Sequence, residues 1–164
     1  MTTTAVYAGT FDPVTSGHID LAMRTAKMFD NVILAIADNP DKNPLFDLHQ
    51  RTELAKAVLE DAKNIEVMSF SGLLIDFVRA VDARIVLRGL RAVSDFEFEF
   101  QLASMNRRLD KEIETIFLTP SEQYTFVSAS LVKEVARFGG DVSDFVHPIV
   151  HEALKKKFNP LKSS

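Results

Sequence analysis

GTFDPVTSGH, residues 9–18, decides how this chain is read. It follows a short apolar run, residues 5–8, and leads into a segment where Ile19, Ala22, Met23 and Ala26 recur at helical spacing. A strand therefore feeds a glycine-flanked turn, and a helix is expected to begin near His18. The free backbone N–H groups of such a helix start face the carboxyl edge of a sheet, where a phosphate can settle. The same turn delivers an imidazole to that spot. A phosphate cradle with a histidine in it points to chemistry on a nucleotide.

Working outward, strand and helix patterns alternate along the chain. Residues 32–37 form a continuous apolar run of strand length, as in a parallel sheet covered on both faces. Pro40 and Pro44 mark 38–47 as a loop, and 48–62 reads as a helix with Leu54, Ala55 and Val58 on one side. Further strands are expected at 65–68, 84–88 and 113–118, with helices at 73–81, 94–109, 128–138 and 148–158. Ser94, with Glu97 three residues on, can cap the helix ending near Leu109. Phe96, Phe100 and Ala103 fall at i, i+4 and i+7 and read as a core stripe. Gly139-Gly140 closes the fifth helix, Pro148 opens the last, and 159–164 is expected to be a flexible tail. The pattern predicts an α/β fold: one doubly wound, Rossmann-like domain spanning residues 1–164. Its sheet has five mainly parallel strands with helices on both faces.

Composition narrows the function. At 164 residues, 46% hydrophobic and 26% charged, the chain has the make-up of a soluble globular domain. No apolar run approaches the ~18 residues of a membrane span, and the N-terminal residues lack the pattern of a secretory signal. Without cysteine there is no disulfide, thiolate zinc site or cysteine nucleophile. A cytoplasmic enzyme is expected. The net charge of −4, from 19 basic and 23 acidic residues, disfavours a nucleic-acid partner. A small phosphorylated ligand needs only a local cluster of cations, for which Lys42, Arg88, Arg91, Arg107, Lys133 and Arg137 are candidates.

The suggestive residues all fall at the carboxyl ends of expected strands. Thr10 and His18 follow the first and Lys42 the second. Leu73-Leu74 follow the third, Arg88 to Arg91 end the fourth, and Ser128 to Ser130 open the helix after the fifth. Each also has a plainer reading. Lys42 in a polar loop serves equally as a solvated charge, Ser128 as an ordinary N-cap, and Asp95 with Glu99 as a solvated face or as partners for nearby arginines. His49, His147 and His151 lie away from strand ends and are read as surface or capping residues.

Taken together, these segments resemble a known family. Thr15 to His18 and Val127 to Lys133 are similar to the two signature motifs of the nucleotidyltransferase superfamily. GTFDPVTSGH, RGLRAVSDFEFEFQLASMNR from Arg88 and SASLVKEVA from Ser128 resemble the bacterial phosphopantetheine adenylyltransferases in order and spacing, over about residues 4–158. The resemblance implies reversible adenylyl transfer from ATP to 4′-phosphopantetheine, giving dephospho-coenzyme A and pyrophosphate in coenzyme A biosynthesis. It also implies Mg²⁺ as cofactor, held mainly by ATP phosphates and water, a homohexamer, and feedback inhibition by coenzyme A.

By resemblance, His18 stabilises the transition state, with Lys42 and Arg91 as further catalytic residues. ATP would meet Thr10, Phe11, His18, Gly89, Leu90, Arg91 and Glu99. The run Tyr124, Thr125, Phe126, Val127, Ser128, Ala129 and Ser130 would hold its adenosine and outer phosphates. The second substrate would meet Thr10, Lys42, Leu74 and Arg88. Two positions depart from the family pattern: Ala129 lacks a hydroxyl usual there, and Phe98 replaces a common tyrosine. The attacking group would be the substrate's own phosphate, largely a dianion at neutral pH, so neither a covalent intermediate nor a protein base is required. Whether His18 is neutral or cationic stays open at this level, because a helix N-terminus disfavours the cation and bound phosphate favours it.

Overall fold

β1, Thr4–Gly9, runs through the middle of the sheet because all its central residues are apolar and covered on both faces. The structure, a computed structural model, describes residues 1–91 and 93–159, apart from the side chains of Val93 and Ser94. The expected tail therefore falls outside the described residues from 160 onward. α1, Ser16–Met28, follows β1, and β2, Asn31–Ala37, pairs with it along its whole length. A short 3₁₀ turn, Pro40–Lys42, leads to α2, Leu48–Val58, and then β3, Ile65–Phe70. α3, Leu74–Ala80, β4, Ile85–Gly89, and α4, Val93–Leu109, come next. β5, Glu114–Leu118, α5, Ala129–Arg137, and α6, Pro148–Phe158, complete the order.

The five strands lie in the order β3-β2-β1-β4-β5, and every pairing is parallel. Alternate β1 side chains enter different cores. Tyr7 joins the larger cluster with Leu21, Leu34, Leu87, Val132 and Val150, built by α1, α2, α5 and α6. Val6 and Ala8 join a smaller one with Ile75, Val78 and Val86 on the α3 side. Strand order reverses between β1 and β4, and a parallel doubly wound sheet opens a crevice at the carboxyl ends there.

Local chemistry accounts for most element ends. α1 begins at Ser16, two residues before the expected start. Thr15 is extended and takes the His18 N–H on its hydroxyl (3.3 Å), which makes it the N-cap. α2 stops at Val58 rather than near 62. There the Ala62 N–H donates to the Leu59 carbonyl (3.0 Å), a tighter turn than an α-helix makes. α4 begins at Val93, so Ser94 lies inside the helix instead of capping it; its side chain is outside the described residues.

The core stripe expected on α4 is corrected. Phe96 and Phe100 are exposed, at 48% and 56%, and Ala103 is only half-buried. Helical spacing identifies an apolar face but not what covers it, and the described residues leave this one about half open.

Candidate active site

A cleft of about 540 Å³ opens where the strand order reverses. The ends of β1 and β4 form its floor, and the starts of α1 and α5 form its walls. Gly9 leaves little room at the floor. A Cβ there would stand 3.1 Å from the ring of Phe11, which folds back beneath the turn with φ +51 and is buried. Gly89 is equally confined, its would-be Cβ 3.0 Å from Leu21.

His18 is held by its own helix cap. The Thr15 N–H donates to Nδ1 (3.0 Å), completing a capping box in which an imidazole replaces the usual carboxylate or amide. Nδ1 therefore carries a lone pair and the proton sits on Nε2. The Phe11 ring meets the imidazole edge-on, with centroids 4.9 Å apart. Burial, followed by the positive charges of Arg91 and Arg88, pushes the His18 pKa down to about 4. The question left open by the sequence is thereby answered for the ligand-free protein: the imidazole is neutral near pH 7 and its polar handle is a donor.

Arg88 is fastened on two sides. Nε and Nη2 donate to the two Glu99 carboxylate oxygens (2.8 and 2.6 Å), and Nη1 donates to the Ala8 carbonyl (2.7 Å). Glu99 is itself buried. Burial opposes the guanidinium charge, but the Glu99 hydrogen bonds and charge outweigh it, so the Arg88 pKa is raised overall. Three of five guanidinium N–H groups are engaged, which leaves two for a ligand oxygen. Tyr7, beside it, has its ionisation pushed up by burial. Arg91 lies across the cleft mouth, donating to the Val127 carbonyl (3.3 Å) and facing Asp95 at 3.7 Å.

Lys42 stands on the 3₁₀ turn after β2, lines the cleft and makes no ion pair among the described residues. Thr10 also lines it, its hydroxyl accepting from Asn39 (3.1 Å) and its carbonyl from the buried Arg51 (2.9 Å). On the opposite wall Ser128 caps α5, taking the Leu131 N–H on its hydroxyl (3.0 Å), while Ala129 and Ser130 occupy the first turn.

The structure thus gathers Thr10, Phe11, His18, Lys42, Arg88, Gly89, Arg91, Glu99, Tyr124, Val127, Ser128, Ala129 and Ser130 around one cleft. Leu74, Leu90, Thr125 and Phe126 do not line it; the last three are chain neighbours of residues that do. Arg107 and Arg137 pair instead with Glu114 and Glu134 on the surface. His147 caps α6 through the Ile149 N–H (3.1 Å), His49 is exposed, and His151 faces Asp141 at 3.8 Å. Asp12, which sequence reading passed over, lines the cleft and pairs with Lys133. That contact spans 121 positions, and no local spacing announces it.

Residues 6–135 match the cytidylyltransferase-like family. A phosphopantetheine adenylyltransferase from Methylobacillus flagellatus is 59% identical over 152 residues, covering 93% of this chain and 95% of that protein. The chain is a member of the phosphopantetheine adenylyltransferase family. Solved structures agree on the fold. A candidate nicotinate-nucleotide adenylyltransferase from Vibrio parahaemolyticus superposes with a TM-score of 0.72 at 18% identity, covering 94% of this chain and 99% of its own. A nicotinic acid mononucleotide adenylyltransferase from Plasmodium falciparum gives 0.71 at 14%, covering 97% of each chain. At such identities the match speaks for the nucleotidyltransferase architecture alone. In this adenylyltransferase the three sequence segments that carried the resemblance meet in one cleft.

Proposed function

We propose that this protein transfers the adenylyl group of ATP to 4′-phosphopantetheine by direct in-line attack of the acceptor's phosphate, in coenzyme A biosynthesis in the cytoplasm. The observation that carries the reading is the convergence of a neutral, donor-poised His18, a tethered Arg88 and the capped start of α5 on one cleft. The close adenylyltransferase relative supplies the chemistry that fits it.

Each residue has a task set by its geometry. The ATP triphosphate lies along the start of α5, where Ser128, Ser130 and free N–H groups meet oxygens, with Arg91 beside them. His18 donates from Nε2 to the α-phosphate oxygen on which charge builds in the transition state. Arg88 offers its two remaining N–H groups to the acceptor's phosphate, and Lys42 with Thr10 aligns that phosphate with the α-phosphorus. No base is needed, because the attacking phosphate is already a dianion.

Mg²⁺ supplies charge neutralisation on the triphosphate when bound. The cleft carboxylates Asp12, Asp95 and Glu99 each face a cation: Lys133, Arg91 and Arg88. Among the described residues no group of three acidic or histidine side chains is arranged around a metal. On the family resemblance, ATP phosphate oxygens and water would provide most of the ion's ligands. Chelation with EDTA should abolish turnover while leaving the melting temperature of the ligand-free protein unchanged.

The deciding assay is pyrophosphate release from ATP with and without 4′-phosphopantetheine, with nicotinate mononucleotide as a second acceptor and CTP as a second donor. Release that depends on 4′-phosphopantetheine and ATP is the expected outcome. Equal release with the other acceptor overturns the substrate assignment. By the same family resemblance the protein assembles as a homohexamer and is inhibited by coenzyme A, which should compete with 4′-phosphopantetheine.

A further inference from the structure

Residues 38–47 carry Lys42 over the cleft on a single 3₁₀ turn, and Asn43, the next residue, is left-handed with φ +46. Charged groups outside the loop hold it. Arg51 on α2, 1% exposed, donates to the carbonyls of Thr10 (2.9 Å), Ala37 (2.8 Å) and Phe46 (3.0 Å). Asp12, 4% exposed in the turn before α1, accepts from the Leu45 N–H on Oδ2 (2.8 Å) and the Phe46 N–H on Oδ1 (2.9 Å). The Lys133 ammonium lies 2.8 Å from that same Oδ2. Lys133 belongs to α5, the helix whose first turn faces the triphosphate in the proposed reaction. One buried carboxylate thus ties together the histidine turn, the Lys42 loop and the phosphate-binding helix.

We propose that Lys133 is a positioning residue for adenylyl transfer: through Asp12 it holds the Lys42 loop in register with the start of α5. The inference rests on the proposed function and adds a residue to it. Asp12 is buried, and a buried carboxylate stays in place only while its charge is matched. Its two backbone partners both belong to the loop, three and four residues beyond Lys42, and its one cation among the described residues comes from α5. Removing the ammonium leaves the carboxylate uncompensated, and the structure relieves this by letting Asp12 move toward water. Leu45 and Phe46 are hydrogen-bonded to it and move with it, carrying Lys42 out of line. Displacements of about 1 Å in a reacting assembly cost on the order of 10²-fold in rate, so a small shift is enough.

The test compares Lys133→Met and Lys133→Arg in the full chain. In the ligand-free protein, Lys133→Met should speed amide hydrogen exchange at Leu45 and Phe46 by at least about tenfold, with the β2 amides unchanged. Per folded enzyme, kcat should fall by roughly tenfold while KM for ATP stays within about twofold, and Lys133→Arg should recover most of the loss. On a Lys42→Ala background the same substitution should cost less than about twofold, because the residue it acts through is already gone.

A full penalty on that background overturns the proposal, since Lys133 would then act on the substrate directly. A lowered melting temperature with unchanged kcat overturns it too, as the pair would be merely structural. The exchange measurement needs no turnover. Inactivity of the unmodified protein toward 4′-phosphopantetheine would therefore end the proposed function while leaving the tether to be judged separately. Should Lys133→Met not fold, Lys133→Gln carries the same readouts.

Discussion

A single imidazole shows how far local contacts set chemistry. His18 is neutral because it is half-buried and two arginines face it, and its proton lies on Nε2 because the Thr15 N–H occupies Nδ1. His18→Ala should therefore lower kcat by about 10²–10³ while largely keeping ATP affinity, as deletion of one preorganised oxyanion donor does. Single-turnover kinetics beside ATP binding will check it, and a full-rate variant refutes the assigned role. The same residue makes stability depend on pH. The folded group titrates near 4 and the unfolded one near its ordinary value of 6.5, so between those values the unfolded chain holds a proton the folded chain lacks. Stability contributed by His18 is complete above pH 6.5 and declines as pH falls toward 4, by at most ~3 kcal/mol. Urea unfolding from pH 4.5 to 7.5 should show a shallower decline for His18→Ala than for the unmodified protein.

At the scale of elements, β4 and α4 are joined by one ion pair. Arg88 lies one residue from the end of the strand, and Glu99 reaches it from nearly two helical turns into α4, with side chains 25% and 10% exposed. Glu99→Ala leaves a guanidinium with a desolvation cost and a single carbonyl partner. It should destabilise the fold by about 3 kcal/mol, and the double variant with Arg88→Leu should cost less than the sum of the two single ones. Chemical denaturation of the four proteins measures the cycle, and strict additivity would show that the pair carries no such linkage. The i, i+4 spacing of Asp95 and Glu99 was legible as one helix face, either solvated or meeting arginines. That Glu99 would be buried against Arg88 was not, since burial depends on where α4 lies over the sheet.

Across the whole molecule, the face α4 leaves uncovered is the feature a single chain does not explain. Phe96, Phe98, Phe100 and Met105 are 48%, 63%, 56% and 61% exposed. Phe96 and Phe100 share one side of the helix, and Phe98 and Met105, seven residues apart, share the other. So many large apolar groups left open on one helix mark an interface. A second copy of this chain fits the homohexamer expected by resemblance. Phe98→Glu combined with Phe100→Glu should reduce the assembly to a smaller species by light scattering. An unmodified protein that is monomeric, or a variant of unchanged size, removes this face from the assembly.

The sequence by itself determined the five strands, most helix limits, the cleft's location and the residues Thr10, His18, Lys42, Arg88, Arg91, Ser128 and Ser130 around it. Those follow from periodicity, turn residues and caps, all of which act within a few positions of the chain. Tertiary structure alone decided that Phe96 and Phe100 stay exposed, that Asp12 meets Lys133 across 121 residues, and that His18 is neutral. Burial, charge pairing and desolvation are properties of neighbours brought together by the sheet, and they have no counterpart in local spacing.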